Sequence, residues 1–308
     1  MNSYLLIVAG LVALYYGADW MVDSSCSIAM RFGVPPVMVG LTIVAAGTSM
    51  PEAVVSVQAT LNDKGGLSIG NVIGSNTLNI ALVLGLSAML QPLEVARRVV
   101  KADIPTMILL SFLVFVFFED HVISRWEGMF LLLCMVSYIL GNIVAAREEE
   151  GHVGDGVELG ESLGHDLTFL IVGMALLAFG SDWLVVGSVD VARDWGVSDA
   201  VIGLTVVAIG TSSPELVTSV VAAYKKHADL AVGNAVGSNI SNLCFVLGTA
   251  GTVRPLDGSG VETLDFLIML LFALIMLPTA WTGYSLDRKE GVAFVGIYVV
   301  YLFLIWPF

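Results

Sequence analysis

The chain has 308 residues, 57% of them hydrophobic and 13% charged, with a mean hydropathy of +0.89 and a formal net charge of −14. That is too little polar surface to coat a soluble globule of this length, so a water-soluble fold is excluded and the chain belongs in a bilayer, with no nucleic-acid partner expected. Cys26, Cys134 and Cys244 lie in or beside apolar runs without metal spacing and read as packing residues.

In chain order, the first apolar run covers 3–24. It lacks a basic stretch ahead of it and has an internal counterpart, so it is expected to be a retained helix and not a cleaved signal. Run 37–61 carries Gly47-Thr48-Ser49-Met50-Pro51-Glu52, and run 70–90 carries Gly70-Asn71 and Gly74-Ser75-Asn76. Runs 103–119 and 126–146 are apolar throughout. Between 148 and 166, seven acids sit among glycines, which predicts a hydrophilic linker; the spacing is not that of a calcium loop. Five more runs follow at 166–188, 200–224, 233–253, 264–282 and 290–306. Each is near the ~20 residues that cross a bilayer. The expected fold is an all-α membrane protein with ten transmembrane helices.

The second five runs repeat the first at an offset of 163. Between 40 and 61 there are 14 identities in 22 positions with 203–224, and Gly17, Asp19 and Trp20 return as Gly180, Asp182 and Trp183. The predicted organisation is a first five-helix repeat over 1–146 with its motif at 40–86, a linker over 147–165, and a second repeat over 166–308 with its motif at 203–249. Five is odd, so the copies enter the membrane from opposite sides and the repeats are inverted. With the N-terminus outside, nine Lys and Arg residues fall on the cytoplasmic side (31, 97, 98, 101, 147, 225, 226, 288 and 289) and four outside (64, 125, 193 and 254). Both termini are therefore expected outside a multi-pass cell-membrane protein. Asp19 and Asp182, each next to a Trp near a span end, read as interfacial anchors.

Glu52 and Glu215 fall midway along apolar runs, where an ionised side chain costs at least about 2.5–3.5 kcal/mol. No Lys or Arg lies inside the neighbouring runs, which leaves protons or bound cations as the neutralising partner. On a continuous helix Ser49, Glu52 and Ser56 share a face, as do Ser212, Glu215 and Ser219. Asn71, Ser75 and Asn79 form a stripe echoed by Asn234, Ser238 and Asn242. These side chains offer the carboxylate, amide and hydroxyl oxygens that hold Ca2+ and Na+, or else they hydrogen-bond between helices. Pro51 and Pro214 cannot bond to the carbonyls of Gly47 and Gly210, so spans 2 and 7 should break into half-helices there. Broken helices at matching positions of two inverted repeats point to a midplane transport site. Gly70 and Gly74 fit close helix packing. No span carries a nucleophile–base–acid set, so an enzyme is not expected. A cation channel using the same oxygens differs in one observable: its Ca2+ flux needs no cation on the opposite side.

The segments GLTIVAAGTSMPEAVVSV with GNVIGSNTLNIALVLG, and GLTVVAIGTSSPELVTSV with GNAVGSNISNLCFVLG, resemble the two alpha-repeats of the sodium/calcium exchanger branch of the calcium/cation antiporter superfamily. The resemblance implies Na+/Ca2+ exchange by alternating access, with no cofactor. It implies that Glu52 and Glu215 ligate Ca2+ and Na+ in turn, with oxygens from Ser49, Ser75, Asn79, Ser212, Ser238 and Asn242. It also implies carbonyl ligands at Ala45 and Ala208, contacts from Thr48 and Thr211, and a sliding gate made of spans 1 and 6. One position departs from the pattern: Asn242 stands where relatives often carry Asp, so the site has two carboxylates and not three. Proton or potassium coupling stays open on that account.

Overall fold

A computed structural model describes residues 2–148, 160, 162–196, 208–258 and 260–305. The predicted linker interior, residues 203–207 of the second motif and the last three residues lie outside the described residues. Among the described residues, the fold is helical apart from four two-residue strands and the connecting turns. Helix α1 (Ser3–Phe32) starts on Asn2, whose Oδ1 accepts the Tyr4 N–H at 3.1 Å, and ends at Gly33, where φ is 64°. The broken span is α2 (Pro36–Thr48) and α3 (Met50–Leu61), bent by 42°. Next come α4 (Gly65–Leu90), β1 (Leu93–Glu94), α5 (Val99–Asp120), β2 (Val122–Ile123) and α6 (Arg125–Glu148). The second half runs through α7 (Leu163–Asp194), α8 (Ala208–Thr211), α9 (Ser213–Tyr224), α10 (Ala228–Val253), β3 (Leu256–Asp257), α11 (Thr263–Trp281), β4 (Ser285–Leu286) and α12 (Arg288–Ile305).

Among the described residues, seven helices are long and apolar enough to cross a membrane, or eight if the bent α2–α3 pair is one span. The other two expected spans take different forms. One is the α8–α9 pair, preceded by residues outside the description; the other is α12, which opens on Arg288, Lys289 and Glu290. Helices α1 and α7, at 30 and 32 residues, are longer than the runs 3–24 and 166–188, because neither contains a proline to stop it. At 1.5 Å per residue they measure roughly 45 Å, more than a ~30 Å hydrocarbon core.

Helices α1 and α7 meet backbone to backbone. A Cβ at Gly10 would sit 2.7 Å from the Gly180 carbonyl oxygen, and one at Gly17 would sit 2.9 Å from that of Gly173. The outer flank of α1, with Leu5, Val8, Val12 and Tyr15, is exposed, as suits a face toward lipid. At one end of this pair the Arg31 guanidinium meets Asp166 Oδ2 at 2.6 Å and also reaches the Gly160 carbonyl. Asp19, read from the sequence as an interfacial anchor, has a charged partner. It pairs with Lys225 Nζ at 2.6 Å, and Asp23 binds the same ammonium at 2.7 Å.

The strands pair antiparallel as β1 with β4 and β2 with β3, each ladder joining the two halves of the chain. Arg254 and Asp63 add an ion pair of 2.7 Å beside the second ladder. Within each half a tyrosine ties two helices: Tyr138 Oη donates to Asp103 at 3.0 Å, and Tyr301 Oη, 163 residues on, donates to Asp265 at 2.8 Å. Helices α4 and α10 lie at the centre and are more deeply buried than the other membrane-length helices described.

Candidate functional site

The site forms where the two broken spans face α4 and α10. Ser49 and Ser212 are the break residues themselves, with φ, ψ of −80°, 3° and −88°, 9°. Pro51 and Pro214 then fall in the first turn of α3 and α9, where a missing N–H costs no helical bond. The carbonyl freed at Gly210 is taken up by two hydroxyls, Ser181 Oγ at 2.7 Å and Ser213 Oγ at 2.6 Å. Glu52 and Glu215 follow in the first turns of the half-helices, where the unpaired N–H groups favour negative charge.

Both carboxylates are fully buried, and among the described residues neither has a cationic side-chain partner. Each instead takes a hydroxyl from the opposite copy. Ser212 Oγ donates to Glu52 Oε1 at 3.2 Å, and Ser49 Oγ donates to Glu215 Oε1 at 3.5 Å. Ser212 also meets Ser75 Oγ at 3.1 Å, and Thr48 Oγ1 lies 3.2 Å from Ser238 Oγ. Among the described residues, Glu52 Oε2, Glu215 Oε2 and Asn79 Oδ1 are buried without a hydrogen-bond partner, as are both ends of the Asn242 amide. Buried acceptors without donors carry a large desolvation cost, which a cation held among them removes. Among the described residues no three His, Cys, Asp or Glu side chains gather, so a cation held here would have to take its remaining ligands from neutral oxygens.

The predicted residues separate into groups. Ser49, Glu52, Ser75, Ser212, Glu215, Thr48 and Ser238 are linked by the bonds above, and Asn79 and Asn242 are buried on α4 and α10. The Ala45 carbonyl is engaged by the Ser49 N–H at 3.0 Å and by Thr48 Oγ1 at 3.3 Å; Ala208 occupies the equivalent place at the start of α8, and Thr211 is buried at its end. Asn71 Nδ2 donates to Ser56 Oγ at 3.0 Å and to the Glu52 carbonyl at 3.4 Å; Asn234 repeats both contacts with Ser219 and Glu215, at 2.9 and 3.3 Å. These asparagines brace the half-helices.

Two features were not anticipated. The stripe along α4 and α10 does not stay α-helical: π-helical turns begin at Asn79 (Asn79–Leu84) and at Asn242 (Asn242–Val246). In addition, Asn76 and Asn239 bond reciprocally where α4 crosses α10, each amide nitrogen 3.2 Å from the other's backbone carbonyl. The recurrence of Gly-Ser-Asn at 74–76 and 237–239 was the available signal.

Comparison with known proteins gives a consistent result. The family profile described as sodium/calcium exchanger protein matches residues 2–144 and 165–306. The chain is 34% identical to inner membrane protein YrbG of Escherichia coli (strain K12) over 315 residues, covering 98% of this chain and 96% of that one. It is 32% identical over 346 residues to the sodium/calcium exchanger MaX1 of Methanosarcina acetivorans, covering 99% and 98%. A solved structure of the sodium-calcium exchanger NCX_Mj, soaked with Na+ and Sr2+, superposes with a TM-score of 0.88 at 31% identity and covers the whole of both chains.

Proposed function

The chain belongs to the sodium/calcium exchanger protein family, and from that premise we propose that it is a secondary antiporter exchanging Na+ for Ca2+ at a midplane site. One observation carries the reading: two fully buried carboxylates without cationic partners, each hydrogen-bonded by the serine at the opposite copy's helix break. Ca2+ and Na+ compete for these carboxylates and for the surrounding hydroxyl and amide oxygens. Two negative charges balance one Ca2+, whereas an uncompensated pair resists enclosure in an apolar interior. Coupling follows, because only a loaded site closes readily and the two ions cannot load it in full together. Helices α1 and α7, joined along their glycines, are the proposed gate.

Ten crossings by two inverted five-helix repeats account for the ties between loops. With ten spans, the loops holding β1 and β4 share one side of the membrane, and those holding β2 and β3 share the other. Asp63 and Arg254 then meet on the second side, and Asp19, Asp23 and Lys225 on the first. Loop charge assigns the first side to the cytoplasm, with both termini outside the cell membrane. A reporter fused after Phe308 is therefore expected to be active only on the outer face, and activity on the inner face overturns the orientation.

The functional test is dependence on the opposite side. Ca2+ enters vesicles only when a second cation fills them, and a Ca2+ flux that proceeds without any internal cation identifies a channel. One chain supplies both carboxylates and both sets of serines, so a monomer suffices.

A further inference from the structure

Asn79 and Asn242 carry amides, so only one end of each side chain can face a cation, and something must select the oxygen. The structure contains such a selector for Asn79. The backbone carbonyl of Asn76 can only accept, so the Asn239 nitrogen that reaches it at 3.2 Å turns Asn239 Oδ1 the other way. Met107 Sδ, 3.4 Å from the same nitrogen, favours the same orientation. Asn239 Oδ1 then accepts Asn79 Nδ2 at 3.1 Å. The Asn79 nitrogen is thereby committed, and its Oδ1, buried and without a donor, is the free end.

The other copy repeats the first step. Asn76 Nδ2 donates to the Asn239 carbonyl at 3.2 Å, which leaves Asn76 Oδ1 buried and without a partner. The equivalent of Asn79 is Asn242, whose amide is also buried and unpartnered. We propose that Asn76 and Asn239 are positioning residues, taking the amide hydrogens of Asn242 and Asn79 so that both ligand oxygens face the cation. This rests on Asn79 and Asn242 being ligands, as argued above. Asn76 and Asn239 themselves act one layer out, through the residues that they orient.

A double-mutant cycle separates orientation from packing, because a carboxylate presents an oxygen whichever way it is turned. The readout is the half-saturating Ca2+ concentration for uptake into vesicles. Asn76→Ala is expected to raise it about tenfold in the native background, as loss of an outer-layer partner does. In an Asn242→Asp background the same change is expected to add less than about twofold, since the selector is no longer needed. An equal penalty in both backgrounds overturns the proposal in favour of a structural role, and no penalty in either overturns it as well. The mirror cycle, Asn239→Ala against Asn79→Asp, asks the same question of the bond already made, and it decides the matter if Asn76→Ala does not insert. Glu52→Gln in the same assay distinguishes the two levels. If that variant transports normally, the site reading fails and this proposal with it; if it is dead while the asparagine cycles show no coupling, this proposal fails alone.

Discussion

Glu52→Gln and Glu215→Gln each reduce Ca2+ uptake into vesicles to background while the protein still inserts and folds. Glutamine keeps the size of the side chain and an oxygen that can accept the Ser212 or Ser49 hydroxyl, so the bonds at 3.2 and 3.5 Å survive. What disappears is half of the charge that balances a divalent ion. Insertion does not suffer, since a neutral amide avoids the roughly 2.5–3.5 kcal/mol that an ionised carboxylate costs in mid-bilayer. The damage should be near-equal, because each carboxylate depends on the opposite copy's serine and the bracing asparagine–serine contact recurs in both copies. The measurement is 45Ca uptake at matched protein density. Substantial transport by either variant would make the glutamates structural acids.

The second large effect concerns the coupling ion. If Na+ competes at the two-glutamate site, uptake requires internal Na+, persists when a protonophore collapses the pH gradient, and is blocked by excess external Na+. Uptake that follows an imposed pH gradient and ignores Na+ assigns the protein to proton coupling, and a requirement for K+ assigns it to potassium coupling. Asn242→Asp sharpens the comparison. It places a third acid where two already balance Ca2+, among buried groups with no cationic side chain. The added charge is costly unless protonated or paired. The variant should therefore still bind Ca2+ but gain a pH dependence or an altered Na+ dependence of uptake. An unchanged ion and pH profile places Asn242 outside the site.

The repeat, the broken spans and the buried acids were legible in the sequence because each is a local pattern: an identity at fixed offset, a proline in an apolar run, a charge without a neighbour. What each side chain meets was not legible. Helical periodicity puts Ser49 on the same face as Glu52, but the break turns at Ser49, and its hydroxyl meets Glu215 instead. The π-helical turns at Asn79 and Asn242 follow segments of ordinary helical composition, so no residue announces them. Asp19 beside Trp20 resembled an interfacial pair, and its bond to Lys225 at the end of α9 is a long-range contact that no local pattern gives. The Asn76–Asn239 exchange needs two helices to cross at one point, which is a tertiary fact.

The ties between the two copies bear on how such a chain could have arisen. The glycine contact of α1 with α7, both strand ladders, the serine–carboxylate bonds and the asparagine exchange all run from one copy to the other. At the proposed site, each copy contributes a carboxylate and the hydroxyl that serves its counterpart's. Under the proposed topology, a single five-helix copy would complete its site only by pairing with a second, oppositely inserted molecule of itself. Fusion of two such molecules would join a pair that these contacts already hold together, and would free the copies to diverge.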